Sequence, residues 1–117
     1  MQLQTGDESL SDVVEELHIK ENSFVARFAA MKLRCRQVAI VFGNTIHLHN
    51  TSREEFHSNV RWVRHEMVHI DQFRRYGKWR FTILYLLESI KKGYWNNRFE
   101  VEARAAELKE SIPLHRT

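Results

Sequence analysis

The chain is predicted to fold as an α+β domain, mostly helical, with one small β-hairpin. Three observations carry this expectation. Residues 59–76 repeat apolar side chains at mixed three- and four-residue steps (Val60, Val63, Met67, Val68, Ile70), and neither Pro nor Gly interrupts them. The β-rich run Gln37-Val38-Ala39-Ile40-Val41-Phe42 meets the turn signal Gly43-Asn44, and Thr45-Ile46-His47-Leu48-His49 then alternates apolar and polar residues. The length of 117 residues, with 43% hydrophobic and 28% charged residues, suits one soluble globular domain over 1–117 with a modest core.

The elements follow in order. Residues 1–10 read as loose. Ser11 is positioned to cap a helix whose weak apolar stripe is Val13, Val14, Leu17 and His18. A second helix is expected over 23–33, where Ala26, Ala29 and Ala30 favour the helix and Phe24, Phe28 and Met31 are expected to enter the core. In the hairpin, Ile46 and Leu48 share one face and His47 and His49 the other. His47 and His49 have the spacing of a metal pair on a strand, but an exposed polar face accounts for them. Ser52-x-x-Glu55 matches a capping box. The long helix over 59–76 stops at Gly77, with Arg74 and Arg75 in its last turn, where the helix dipole favours cations. A further helix spans 79–92 and stops at Gly93. The last one starts at Asn96 or Asn97, both good caps, and runs to about 110, before Ser111-Ile112-Pro113 ends it. Residues 113–117 read as a loose tail, with a self-inhibiting strap as the alternative.

Charge and cysteine use narrow the function classes. The net charge is +3 and the isoelectric point about 9.2. The start is acidic (Asp7, Glu8, Asp12, Glu15, Glu16, Glu21) and the middle basic (Arg74, Arg75, Lys78, Arg80, Lys91, Lys92, Arg98), a pattern of solvated faces that pair within the fold. A single cysteine, Cys35, excludes an internal disulfide and is expected to be buried or inert. The polar first twenty residues show no secretory signal, and no apolar run can span a bilayer. A reducing compartment, the cytoplasm, is therefore expected, with no membrane partner.

The long helix carries His65-Glu66-Met67-Val68-His69. Residues four apart on a helix lie about 40° apart and one turn up, so both imidazoles can reach one zinc ion, Zn2+. Glu66 points in a neighbouring direction, where it can take a proton from a water activated by the ion. A catalytic zinc needs a third protein ligand. The last helix offers Glu100 or Glu102, about 200° apart in phase, so only one can face the metal. Glu100 is preferred because Ala103, three residues on, permits close approach to the motif helix. Glu102 is the alternative. His18, His47, His49, His57 and His115 are weaker candidates.

The order helix, hairpin, H-E-x-x-H helix, then E-x-x-A on a later helix resembles the gluzincin clan of zinc metallopeptidases, and most of all its single-domain minigluzincins and compact bacterial H-E-x-x-H-x-x-Q proteins. The matching residues are His65, Glu66, His69, Gln72, Gly77, Gly93, Tyr94, Glu100, Glu102 and Ala103. The resemblance covers about residues 24–110. It implies a minimal zincin-like architecture, zinc held by His65, His69 and Glu100, and Glu66 as base. It also implies that strand 45–49 is the rim along which an extended peptide substrate adds as a further strand. Many gluzincins place an Asp four residues after the ligand glutamate to orient a zinc histidine. Here that residue is Arg104, so Glu107, Asp71 or a backbone carbonyl must serve instead. Tyr94, Tyr85 and His115 are the available transition-state donors.

The implied activity is hydrolysis of peptide bonds. Two rivals stand beside it. One is a zincin-like domain that binds zinc without turnover. The other is a small basic nucleic-acid-binding domain presenting Arg74, Arg75, Lys78, Trp79 and Arg80. Oligomeric state and substrate specificity are not legible.

Overall fold

A computed structural model of the chain describes residues 17–109. Its elements, in order, are β1 (His18–Lys20), α1 (Phe24–Leu33), β2 (Val38–Phe42), β3 (Thr45–His49), α2 (Arg53–Ser58), α3 (Val60–Tyr76), α4 (Lys78–Asn96) and α5 (Arg98–Ala106). The fold is α+β: among the described residues there are five helices and a three-stranded sheet of order β1-β3-β2.

The hairpin forms as its alternation requires. Val38 faces His49 and Phe42 faces Thr45 across an antiparallel pair. Gly43 adopts φ 65° while Asn44 keeps a negative φ, the pattern of a two-residue hairpin turn with glycine first. Ile46 and Leu48 are fully buried and meet Phe56, Val63, Met67, Ile70 and Phe73 in the main core. The opposite face of the sheet receives α1, whose Ala26 and Ala30 close on Val38. The sheet is thus sandwiched between α1 and the remaining helices.

Four expectations change here. Leu17 and His18 do not continue a helix: His18–Lys20 is a strand that pairs in parallel with β3. This pairing is non-local, and Ile19 reaches the core from it. The rest of that proposed helix, together with the region beyond 109 that holds the tail and His115, lies outside the described residues. On α1, Phe24, Phe28 and Met31 point outward, at 81%, 61% and 70% exposure, and the alanines are buried instead. Both faces of α1 are apolar, and the small one allows the helix to lie close on the sheet. Strand β3 is central, so it cannot be a rim. Among the described residues the edge strands are β1 and β2, and β2 is the one beside the cleft. Cys35 is exposed rather than buried.

The remaining helices form from local signals. Ser52 and Glu55 make the reciprocal capping box of α2. Asn59 caps α3 by accepting from the Trp62 amide at 3.1 Å, and Gly77 ends it at φ 89° with its N–H on Phe73 O. Helix α4 breaks at Gly93 (φ 81°, ψ 165°), where the sequence places its stop, and a short helical turn then carries the chain to Asn96. Asn97 caps α5, its Oδ1 accepting from Phe99 N at 2.8 Å. Among the described residues, α5 ends at Ala106 rather than near 110. Ala103 and Ala106 pack on Val68, which draws α5 close against α3. No helix among the described residues is long and apolar enough to cross a membrane.

Candidate metal centre

The middle of α3 supplies His65, Glu66 and His69, held between the sheet on one side and α4 and α5 on the other. The imidazoles stand one turn apart, with ring centroids at 5.1 Å and planes at 69°. Both Nε2 atoms converge on a single oxygen, Glu100 Oε1, at 3.0 Å from His65 and 3.3 Å from His69. The three candidate ligand atoms lie within 4.8 Å of one another. Bonds of about 2.0 Å in a tetrahedral zinc site place neighbouring ligand atoms about 3.3 Å apart, so the two observed separations already match such a site.

Each ring is oriented from behind. His65 Nδ1 lies 2.8 Å from Glu107 Oε2, and His69 Nδ1 lies 2.8 Å from Gln72 Oε1. The Gln72 amide can only be placed this way round. Its Nε2 faces two acceptors, Phe99 O at 3.1 Å and Glu102 Oε1 at 2.9 Å. Nitrogen must therefore donate there, and oxygen is left for the histidine. Both acceptors hold a proton on Nδ1, which leaves the Nε2 lone pairs aimed at the shared point.

Two lone pairs and a carboxylate cannot converge without a positive charge between them. The pKa shifts express this. Burial pulls His65 and His69 down, but hydrogen bonds to Glu100, joined at His65 by Glu107, outweigh it and raise both. Burial would raise Glu100, but the bonds from His65 and His69 hold it well below the usual carboxylate range. Protons can supply the charge, and so can a divalent cation.

Glu66 is buried beside this cluster, with no hydrogen bond to any described residue. Burial pushes its pKa up to about 8, with His69 opposing and the charges of Glu100 and Glu107 adding to the rise. The Tyr85 hydroxyl donates to Glu100 Oε2, and burial followed by the Glu100 charge raises the pKa of both Tyr85 and Tyr94. Asn97 steadies Tyr85's helix by donating to Tyr85 O at 3.1 Å and Ser89 Oγ at 2.8 Å. The cluster floors a cleft of about 260 Å³ bounded by the β2 edge, Leu33 of α1 and Thr82 and Leu86 of α4. Its walls are mainly apolar.

The structure separates the sequence candidates cleanly. Glu100 joins His65 and His69, whereas Glu102 turns away to Gln72 and to Arg75 Nη2 at 3.1 Å. Glu107 is the partner of His65, and Asp71 pairs with Arg75 at 3.2 Å. Arg104 stacks on Trp95, 3.8 Å from its ring centroid, and takes no part in the cluster. His47 accepts or donates at Ser23 Oγ, 2.8 Å away. Among the described residues, no metal-competent group of three includes His18, His47, His49 or His57. Sequence reasoning gave no role to Gln72 beyond the resemblance and none to Asn97 beyond a cap. The i,i+3 spacing of His69 and Gln72 was the available signal for the first.

No protein-family model, curated protein or solved structure matches the chain. The site's own geometry therefore carries the functional argument.

Proposed function

We propose that the chain is a zinc-dependent peptidase, related in design to the gluzincins, acting on peptides or proteins in the cytoplasm. The observation that carries the reading is the convergence of His65 Nε2, His69 Nε2 and Glu100 Oε1 on one point, with Glu66 buried alongside. The donor set fits zinc: two imidazole nitrogens and one carboxylate oxygen, each histidine backed by an acceptor on its other nitrogen. Zinc held there would polarise the scissile carbonyl and lower the pKa of an attacking water to about 7.

The remaining work falls to the chain. Glu66 takes the proton from the attacking water and delivers it to the leaving nitrogen. A carboxyl whose pKa sits near neutrality suits both steps, and Zn2+ nearby favours its ionised form before attack. The free edge of β2 runs beside the cluster and offers unpaired backbone groups to an extended peptide. Tyr85 and Tyr94 both line the cleft and both face Glu100, and they are the two candidates to hydrogen-bond the developing oxyanion.

The test is Glu66→Gln. It should retain zinc and lose about 10²- to 10⁴-fold in turnover of a denatured protein substrate. Equal activity in the two proteins would remove Glu66 from the mechanism. A second reading, zinc binding without turnover, is favoured by the commitment of Tyr85 to Glu100. Zinc-loaded wild type that leaves every peptide intact would select it. The nucleic-acid reading loses support because Arg75 is tied to Asp71 and Glu102.

A further inference from the structure

We infer that the outward face of α4, beside the cleft, is suited to lie on an anionic lipid bilayer. Helix α4 is apolar on two opposite sides. Phe81, Leu84 and Tyr85 face the core. Trp79, Ile83, Leu86, Leu87 and Ile90 fall within about 100° of arc on the other side, and all are more than half exposed, Ile90 at 80%. Scattered exposed apolar residues need no explanation, but a stripe of five on one helix face does. Leu86, at one margin of this stripe, also lines the cleft, so the stripe runs beside its mouth.

The charge pattern identifies the occupant. Residues 78–96 contain Lys78, Arg80, Lys91 and Lys92 but a single acid, Glu88, which is buried and taken by Lys92 at 3.0 Å with Arg98 beside it. Arg80 and Lys91 border the α4 stripe, are exposed, and have no ion-pair partner among the described residues. An apolar face with the cations Arg80 and Lys91 along one border, the neutral Thr82 and Ser89 along the other, and exposed indoles at Trp79 and Trp95 matches the acyl–headgroup boundary of an anionic membrane. A second copy fits worse. Antiparallel pairing of two α4 helices across the stripe sets Arg80 against Lys91 of the other copy, and like charges oppose that contact. The association is peripheral, since no described helix can cross a bilayer. It does not depend on zinc or on the peptidase reading.

The full chain should be mixed with vesicles of phosphatidylglycerol and phosphatidylcholine, or of phosphatidylcholine alone, and followed by co-sedimentation and tryptophan fluorescence. Binding to the anionic vesicles with a blue shift is expected, weakening as salt rises. Arg80→Gln and Lys91→Gln should each weaken it by about fivefold. Ile83→Glu with Ile90→Glu should reduce it at least about tenfold, with circular dichroism unchanged. Should that pair of substitutions unfold the protein, the two charge variants decide. No retention by anionic vesicles at low salt, or retention unaffected by the charge variants, overturns the inference. A wild-type dimer that Ile83→Glu splits, with no vesicle binding, overturns it in favour of a second copy.

Discussion

Glu100 and Glu102 stand two residues apart on α5 and live in different worlds. Glu100 is buried, receives His65, His69 and Tyr85, and is held ionised by them. Glu102 is half exposed and binds Arg75 and the back of Gln72. The residue type is the same. Helical phase alone assigns one carboxylate to the candidate metal point and the other to its support. Ala103 then allows α5 to approach α3 closely enough for that phase to matter. The contrast separates a group that touches the metal point from one that acts only through a neighbour.

Substitutions along this line should grade accordingly. Glu100→Ala should have the largest effect. It removes a ligand and leaves Tyr85 unpaired, so zinc affinity should fall by more than the roughly 10- to 100-fold expected for losing a supporting group. Isothermal titration with zinc checks this, and a loss below tenfold would place the metal elsewhere. Gln72→Leu comes next. His69 loses its Nδ1 acceptor and Phe99 O its donor, so zinc affinity should drop about 10- to 100-fold and the protein should lose about 1–3 kcal/mol of stability, read by chemical denaturation. Glu102→Gln should be nearly silent, changing zinc affinity by less than about threefold and stability by under about 1 kcal/mol, because its partner Arg75 is a surface cation. A large loss from Glu102→Gln would erase the distinction drawn between the two glutamates.

The dependence on pH sharpens the same comparison. His65 and His69 have raised folded-state pKa values. Their contribution to the metal-free protein is complete below the ordinary histidine value of 6.5 and is lost as pH rises through the folded values. Glu66 acts in the same direction. Neutral when folded and ionised when unfolded, it costs stability from its ordinary 4.5 up to about 8. Glu100, with its pKa lowered, contributes above 4.5 and fails only in stronger acid. The rise in melting temperature caused by saturating zinc should therefore grow from pH 6 to pH 8, as protons leave the site and the metal replaces them. A zinc effect independent of pH over that range would mean that the ion does not displace protons from the histidines.

Much of the site was legible because it is local. His65, Glu66, His69 and Gln72 share a few turns of one helix, so spacing fixes their relative directions. Ser52 with Glu55, Asn97 and the Gly43 turn are likewise local signals, and each forms the predicted cap or bend. What escaped prediction depends on distant partners. The parallel pairing of β1 with β3 joins residues 27 apart, and only that pairing makes β3 central. The outward turn of Phe24, Phe28 and Met31 follows from alanines docking on a sheet that local periodicity does not see. The choice of Glu107 behind His65 required knowing how closely α5 lies on α3.

The central claim is that three side chains from two helices hold one metal ion. Elemental analysis of untagged, folded protein, after dialysis against excess zinc and removal of the free ion, tests it most directly. One zinc per chain in the wild type and none in Glu100→Ala is the expected result. A folded wild-type protein that carries no zinc would contradict it.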